Sequence, residues 1–313
     1  MGNTSIEWTD KTWNPVTGCD KVSPGCDHCY AEGIANRFAG TPQFPNGFGV
    51  TLRAERLGDP LKWRKPARVF VNSMSDLFHD DVPDKFIAKV FGVMAHADQH
   101  TFQVLTKRPG RMRSLLRSDA FRELVFKSVD IELPDVMGDD WPLHNVWLGV
   151  SAEDQKWANI RIPALLDTPA AIRFVSAEPL LGPIDLGMWL EDDPEKFDVP
   201  PLDWVIVGGE SGRKARPMHP DWARNLRNQC EKAGVAFHFK QHGEWIGGHK
   251  HGDPWAWAEP HAWVSFETGA TATEDEALKA GGSWQAMWKV GKKAAGRVLD
   301  GRTWDAYPAG VAA

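Results

Sequence analysis

The sequence predicts an α/β protein: a partial (β/α)6 TIM-like barrel with a cysteine loop after its first strand and a C-terminal extension. Three observations predict it. From residue 68 onward, short β-rich runs alternate with longer amphipathic segments, the order that parallel strands joined by crossover helices require. The runs are continuously apolar, as in strands covered on both faces. Each run then releases polar residues at its C-terminal end: "SMSD", "TKRP", "SAED", "SAEP", "GGESG" and "KQHGE" in turn. In a barrel those ends converge on one face, whereas an open sheet concentrates its site at one switch point and need not decorate every strand.

Taken in order, "TWNPVTG" is the first strand; it runs into the cysteine loop, and "YAEGIANRF" is the first helix. Residues 40–66 form a Gly/Pro-rich insertion. Strands follow over 68–73, 101–106, 145–151, 172–177, 203–209 and 236–241, where apolar runs are bounded by turn residues. Amphipathic spacing places helices over 84–97, 110–128, 154–167 and 219–234. An acidic, Pro-rich stretch over 183–201 is a second insertion. The barrel thus occupies residues 1–245, with a Trp/Gly-rich extension over 246–313 packing on it. In that extension "IGGHKHGDPWAWAEPHAW" and "TGATATEDEALKAGG" carry no clear helical or strand period, and the end reads as a short strand, a basic turn and a terminal cap.

The composition, 42% hydrophobic and 25% charged over 313 residues, is that of a globular protein. A net charge of -6 argues against a general phosphate-binding surface and leaves room for a local basic face. The start lacks a basic segment followed by an apolar run, and no long uncharged apolar stretch occurs, so no membrane association and a cytoplasmic location are expected.

Cys19, Cys26 and Cys29 cluster, whereas Cys230 has the helical spacing of a buried, small apolar group. A reducing cytoplasm makes the cluster a metal or redox site in preference to a disulfide. Two chemistries stay open. Zinc would need a fourth ligand, from His28 or a distant residue, in a closed tetrahedral site. An iron-sulfur cluster held by three cysteines leaves one iron open, and such an opening belongs at the barrel mouth, where this loop lies.

Glu178 and Glu210 end neighbouring strands, as acid/base groups or as members of a salt-bridge ring with Arg173, Arg213 or Lys240. Lys240, Gln241 and His242 end the last strand on the substrate side. His79, His96 and His100 lack ligand-like spacing with the cysteines. Two basic groups, Lys107 with Arg108, Arg111, Arg113 and Arg117, and Lys289 with Lys292, Lys293 and Arg297, suggest contact with phosphates, and the tryptophans beyond residue 245 suggest base stacking.

A barrel whose first strand leads into a three-cysteine loop resembles the radical S-adenosylmethionine (SAM) superfamily, here with C-x6-C-x2-C in place of the usual C-x3-C-x2-C. "NPVTGC" and "GCDHCYAE" resemble its spore photoproduct lyase-like branch. "IEWTDKTWNPVTGC", "SMSDLFHDDVP", "LTKRPGRM", "WLGVSAED", "VSAEPLLGPI", "VIVGGESG" and "FKQHGEW" resemble, in order, a bacteriophage-associated family of unknown function.

The resemblance implies a [4Fe-4S] cluster on Cys19, Cys26 and Cys29, SAM as a second cofactor, and a low-potential electron donor of flavodoxin or ferredoxin type. It implies reductive cleavage of SAM to a 5'-deoxyadenosyl radical that abstracts hydrogen from a substrate, with a nucleobase in DNA or RNA as one candidate. It gives Asp76, with Ser73 and Ser75, the methionyl amine; Lys107 the carboxylate; Ser151 and Glu153 the ribose or carboxylate; and Gly208 and Gly209, in a G-x-I-x-G-x-x-E-like stretch whose first glycine is Asp203, the adenine. Glu178, Glu210 and Lys240 are left for the substrate. Two other readings are a zinc-stabilised nucleic-acid-binding or nuclease-like protein and a non-catalytic SAM-binding barrel.

Overall fold

Seven parallel strands form one sheet in strictly sequential order: β1 (Lys11–Trp13), β2 (Arg68–Val71), β3 (Thr101–Thr106), β4 (Val146–Ser151), β5 (Ile172–Ala177), β6 (Trp204–Gly208) and β7 (Ala236–Gln241). The computed structural model describes residues 4, 6–128, 141–191, 200–248 and 258–309; residues 192–199 of the acidic insertion, and Trp255 and Trp257 of the extension, lie outside them. The crossovers carry α1 (Tyr30–Arg37), α2 (Asp84–His96), α3 (Pro109–Leu116), α4 (Asp119–Lys127), α5 (Gln155–Leu166), α6 (Gly187–Leu190) and α7 (Pro220–Ala233). The result is six β/α units and a seventh strand, with β1 and β7 at the two edges, so the barrel is partial.

Alternation along each strand divides two cores. Val69, Val71, Val104, Leu148, Val175, Val205 and Phe239 pack outward in the main helix-facing core. Phe70, Trp147, Phe174, Trp204 and Ile206 point inward and form a second core around Trp8. The Trp8 ring lies 4.6 Å from Phe70 on β2 and 6.1 Å from Trp204 on β6, so the sheet curls far enough for one indole to touch strands near both edges. Gly149 permits that closeness, because a Cβ there would fall 2.4 Å from the Phe174 ring. Above the aromatic layer the inward positions turn polar: Ser151, Ser176 and Lys240.

The base of the barrel is strapped by the C-terminal segment. Phe239 N–H donates to Trp304 O at 2.9 Å, and Ala306 N–H donates to Phe237 O at 3.3 Å, along the outer edge of β7. Tyr307 then lies 5.1 Å from Trp204 and receives the Arg68 guanidinium of β2 on its ring at 4.3 Å.

Three expectations change. The single helix over 110–128 is two, because Ser118 caps α4 by accepting from Phe121 N–H at 3.3 Å. The first strand splits at Pro15: Lys11–Trp13 joins the main sheet, whereas Val16–Thr17 pairs antiparallel with Thr51–Leu52 of the 40–66 insertion. The described residues of the extension form regular elements where the sequence shows no clear period. Trp245–Gly247, Trp284–Lys289, Ala262–Ser265 and Thr271–Ala272 make a four-stranded antiparallel sheet, beside a helix over Glu274–Ala280 with a Thr273/Glu276 capping box. No helix among the described residues is long and apolar enough to cross a membrane.

Candidate functional site

The cysteine loop is tied across the strand ends at several points. Cys19 N–H donates to Phe48 O at 3.1 Å, and Gly18 N–H to Met74 O at 3.0 Å. Gly18, at φ 89°, passes so close to the insertion that a Cβ would sit 2.3 Å from Gly49 O, which only glycine permits. Further along, Gly25 N–H donates to Glu153 Oε1 at 3.1 Å, and Arg216 donates to Pro24 O at 2.8 Å and Asp27 Oδ2 at 3.3 Å. The loop is therefore docked on the ends of both β4 and β6.

Two cavities meet beneath it. A cavity of about 160 Å³ is lined by Cys19, Cys26 and Cys29 with Phe48, Asn72, Ser73, Ser75 and Asp76. A larger one, about 390 Å³, fills the barrel mouth between His28, Glu178, Gly209, Glu210, Lys240 and Gln241, over a floor of Ile6, Trp8, Phe70 and Leu105. Cys29, Tyr30, Phe70, Leu105, Lys107 and Ser151 belong to both walls. The Lys107 ammonium has no ion-pair or hydrogen-bond partner among the described residues. Lys292, from the C-terminal unit, reaches the mouth as well.

Among the described residues, no three His, Cys, Asp or Glu side chains are gathered closely enough to hold a metal ion. The three thiols are free and half-buried around a shared space. As donors they fit a group in which each cysteine binds a different iron, since that needs no convergence on one ion. His28 is turned away from them, its Nδ1 3.1 Å from Glu210 Oε2. Burial, with Asp76 adding to it, pushes the Cys19 thiol up to about 11, although Arg108 donates to its sulfur at 3.4 Å. Cys230 is fully buried in α7, and burial pushes its thiol up to about 12.

Several residues named from the sequence are engaged within the fold. Asp76 accepts from Thr106 Oγ1 on both oxygens (2.8 and 2.9 Å), from Lys107 N–H at 3.0 Å and from Phe78 N–H at 2.9 Å. Ser73 and Ser75 donate to Asn14 Oδ1 and Val16 O. Glu153 is fully buried, pairs with Arg161 at 2.9 Å, and lines neither cavity. Gly208 leaves room for the Glu178 carboxylate, which a Cβ would approach to 2.5 Å; Gly209 leaves room for His242 O.

Glu178 pairs with Lys240 at 3.0 Å. The partner of Glu210 is Arg216, at 2.6 Å, a residue the sequence reading passed over. Burial opposes ionisation of Glu210, but Arg216 and then His28 hold its carboxyl below the ordinary range. His242 lies outside the mouth, its Nε2 2.9 Å from Val298 O.

The four arginines of the first basic group are likewise used internally. Arg108 faces Cys19, Arg111 binds Val82 O and Asp84, and Arg113 and Arg117 both engage Asp167. In the second, Lys289 donates to Arg213 O at 2.5 Å and Arg297 pairs with Asp305.

Asn72 went unnoticed in the sequence. It is 3% exposed, neither its Oδ1 nor its Nδ2 has a partner, and its φ is 61°. An N-x-M-x-D run directly after a strand carries no recognisable signal for this, because an orphaned amide is a property of the packed structure.

No curated protein matches the sequence. Among solved structures, spore photoproduct lyase complexed with a dinucleoside spore photoproduct is similar, with a TM-score of 0.36 and 9% identity over 76% of this chain and 64% of that one. The chain thus spans under two thirds of the lyase's length. Residues 3–308 match the family described as "Protein of unknown function (DUF5131)", and the chain belongs to that family.

Proposed function

We propose that this protein is a radical SAM enzyme. The observation that carries the reading is the meeting of three free thiols with the Lys107 ammonium, which has no partner among the described residues, on adjoining cavities at the C-terminal end of a partial β/α barrel. Cys19, Cys26 and Cys29 would hold a [4Fe-4S] cluster, which together with SAM supplies reductive cleavage and hydrogen abstraction when bound. The chain's own contribution is positional. Lys107 takes the SAM carboxylate from the boundary of the two cavities, and Ser151 lies beside it. The aromatic floor under the mouth, formed by Trp8 and Phe70, keeps water out from below. Glu178 and Lys240, paired at 3.0 Å, present one carboxylate and one ammonium to a polar substrate. An external one-electron donor of flavodoxin or ferredoxin type completes the proposal.

Anaerobic reconstitution followed by iron, sulfide and zinc analysis tests it. Iron and sulfide in matching amounts are expected, with the brown absorbance lost in each Cys→Ala variant of the loop and kept in Cys230→Ala. Reduced protein is expected to convert SAM to 5'-deoxyadenosine, and Lys107→Ala to bind SAM more weakly with the cluster intact. Zinc without iron or sulfide would replace this reading with that of a zinc-stabilised protein.

A further inference from the structure

Asn72 bears two costs that no group among the described residues offsets. Its backbone is held in the left-handed region, at φ 61°, by Asn72 N–H donating to Trp13 O at 2.7 Å and by Ser75 N–H donating to Asn72 O at 3.2 Å. A non-glycine residue is sparsely populated there, and glycine would make the same turn without strain. Its amide is also buried without a hydrogen-bond partner, a state that folded proteins rarely tolerate. Costs of this kind persist at ligand-binding positions. Asn72 lines the cysteine cavity, in which Lys107 also stands.

We infer that Asn72 contacts the α-amino-acid end of SAM, a role for which Asp76 is already too heavily engaged. The inference rests on the radical SAM reading of this cavity. A primary amide offers one acceptor oxygen and two donor hydrogens on a single plane. The oxygen complements an α-ammonium, the NH2 complements an α-carboxylate, and Lys107 supplies the charge for that carboxylate. Asp76 has no donor to offer the carboxylate, and its oxygens already accept from Thr106, Phe78, Lys107 and, at 3.5 Å, Arg108.

The test compares SAM with 5'-methylthioadenosine, which lacks the amino-acid end, by calorimetry on reconstituted protein under anaerobic conditions. Asn72→Gly removes the amide and relieves the backbone, so its melting temperature is expected to be no lower than the parent's. Its affinity for SAM is expected to fall about tenfold or more, the effect of losing a hydrogen bond to a charged group, with 5'-methylthioadenosine unchanged. Asn72→Asp, which keeps the shape and replaces the donor with an oxygen facing the carboxylate, is expected to show the same split and serves if the glycine variant fails to fold. Unchanged SAM affinity, or equal weakening of both ligands, overturns the inference and leaves the radical SAM reading standing. A parent protein that binds no SAM overturns both.

Discussion

Glu153 accepts a 3.1 Å hydrogen bond from the backbone N–H of Gly25, so a carboxylate at the end of β4 holds the middle of the cysteine loop. The same carboxylate pairs at 2.9 Å with Arg161, which is 1% exposed. Removing it leaves a buried guanidinium unpaired and a loop N–H without its acceptor.

Glu153→Ala should therefore destabilise the fold by roughly 3–5 kcal/mol, the range for breaking a buried ion pair from one side. Glu153→Gln keeps an acceptor for Gly25 and should retain more metal-binding capacity than Glu153→Ala. Urea unfolding and metal content after reconstitution measure the two effects. A loss below about 1 kcal/mol would show that the pair does not fasten the loop.

Glu210 gives the protein an acid-sensitive contact. Its folded value lies below the unfolded one because Arg216 and His28 outweigh burial. The contribution is thus fully present above the unfolded carboxylate value of about 4.3 and is lost as pH falls through the folded value. Unfolding free energies measured from neutral pH downward should decline less steeply in Glu210→Gln than in the parent, although the variant starts lower.

His238 acts in the same direction over a higher window. Burial, against the opposing pull of Asp305, pushes its imidazole down to about 4, and neither ring nitrogen has a hydrogen-bond partner. Unfolded chains bind the proton near 6.5, so the stability from keeping His238 neutral is present above that value and drains away on descent to about 4. The loss amounts to roughly 3 kcal/mol at about 1.4 kcal/mol per pKa unit. His238→Gln should flatten stability across this window, and an unchanged slope would refute the assignment.

Gly149→Ala probes the inner core. Its Cβ would meet the Phe174 ring at 2.4 Å, and overpacking of this kind costs about 1–3 kcal/mol. Combining it with Phe174→Leu should recover part of the loss, and strict additivity in the double-mutant cycle would contradict the contact.

The strands were legible because both sheet faces are covered, which makes each one a continuous apolar run. Thr101–Thr106, Ile172–Ala177 and Ala236–Gln241 begin and end where those runs do. Ser118 is a local signal that outweighs the amphipathic period running through 110–128, and the Thr273/Glu276 box starts a helix where no clear period runs; a reading by period alone misses both. The cysteines announced themselves by spacing. The groups that hold their loop did not: Arg216 meets Pro24 across 192 residues and Glu153 meets Gly25 across 128, and no local pattern marks such pairs. Strand-end polarity located the mouth but could not separate groups left without a partner, such as Lys107, from those whose hydrogen bonds the fold consumes, such as Asp76 and Glu153, because that depends on the partners folding supplies.

The strap along β7 bears on the order in which the molecule is made. Trp304 and Ala306 supply the hydrogen-bond partners for the outer edge of a strand that ends at Gln241. During synthesis, every strand of the sheet leaves the ribosome before that edge has its cover. Until the last segment arrives, β7 offers an unpaired row of N–H and C=O groups to any neighbouring nascent chain. Chaperone demand should therefore peak late in translation, and chains stalled between Gln241 and Trp304 should be those that aggregate.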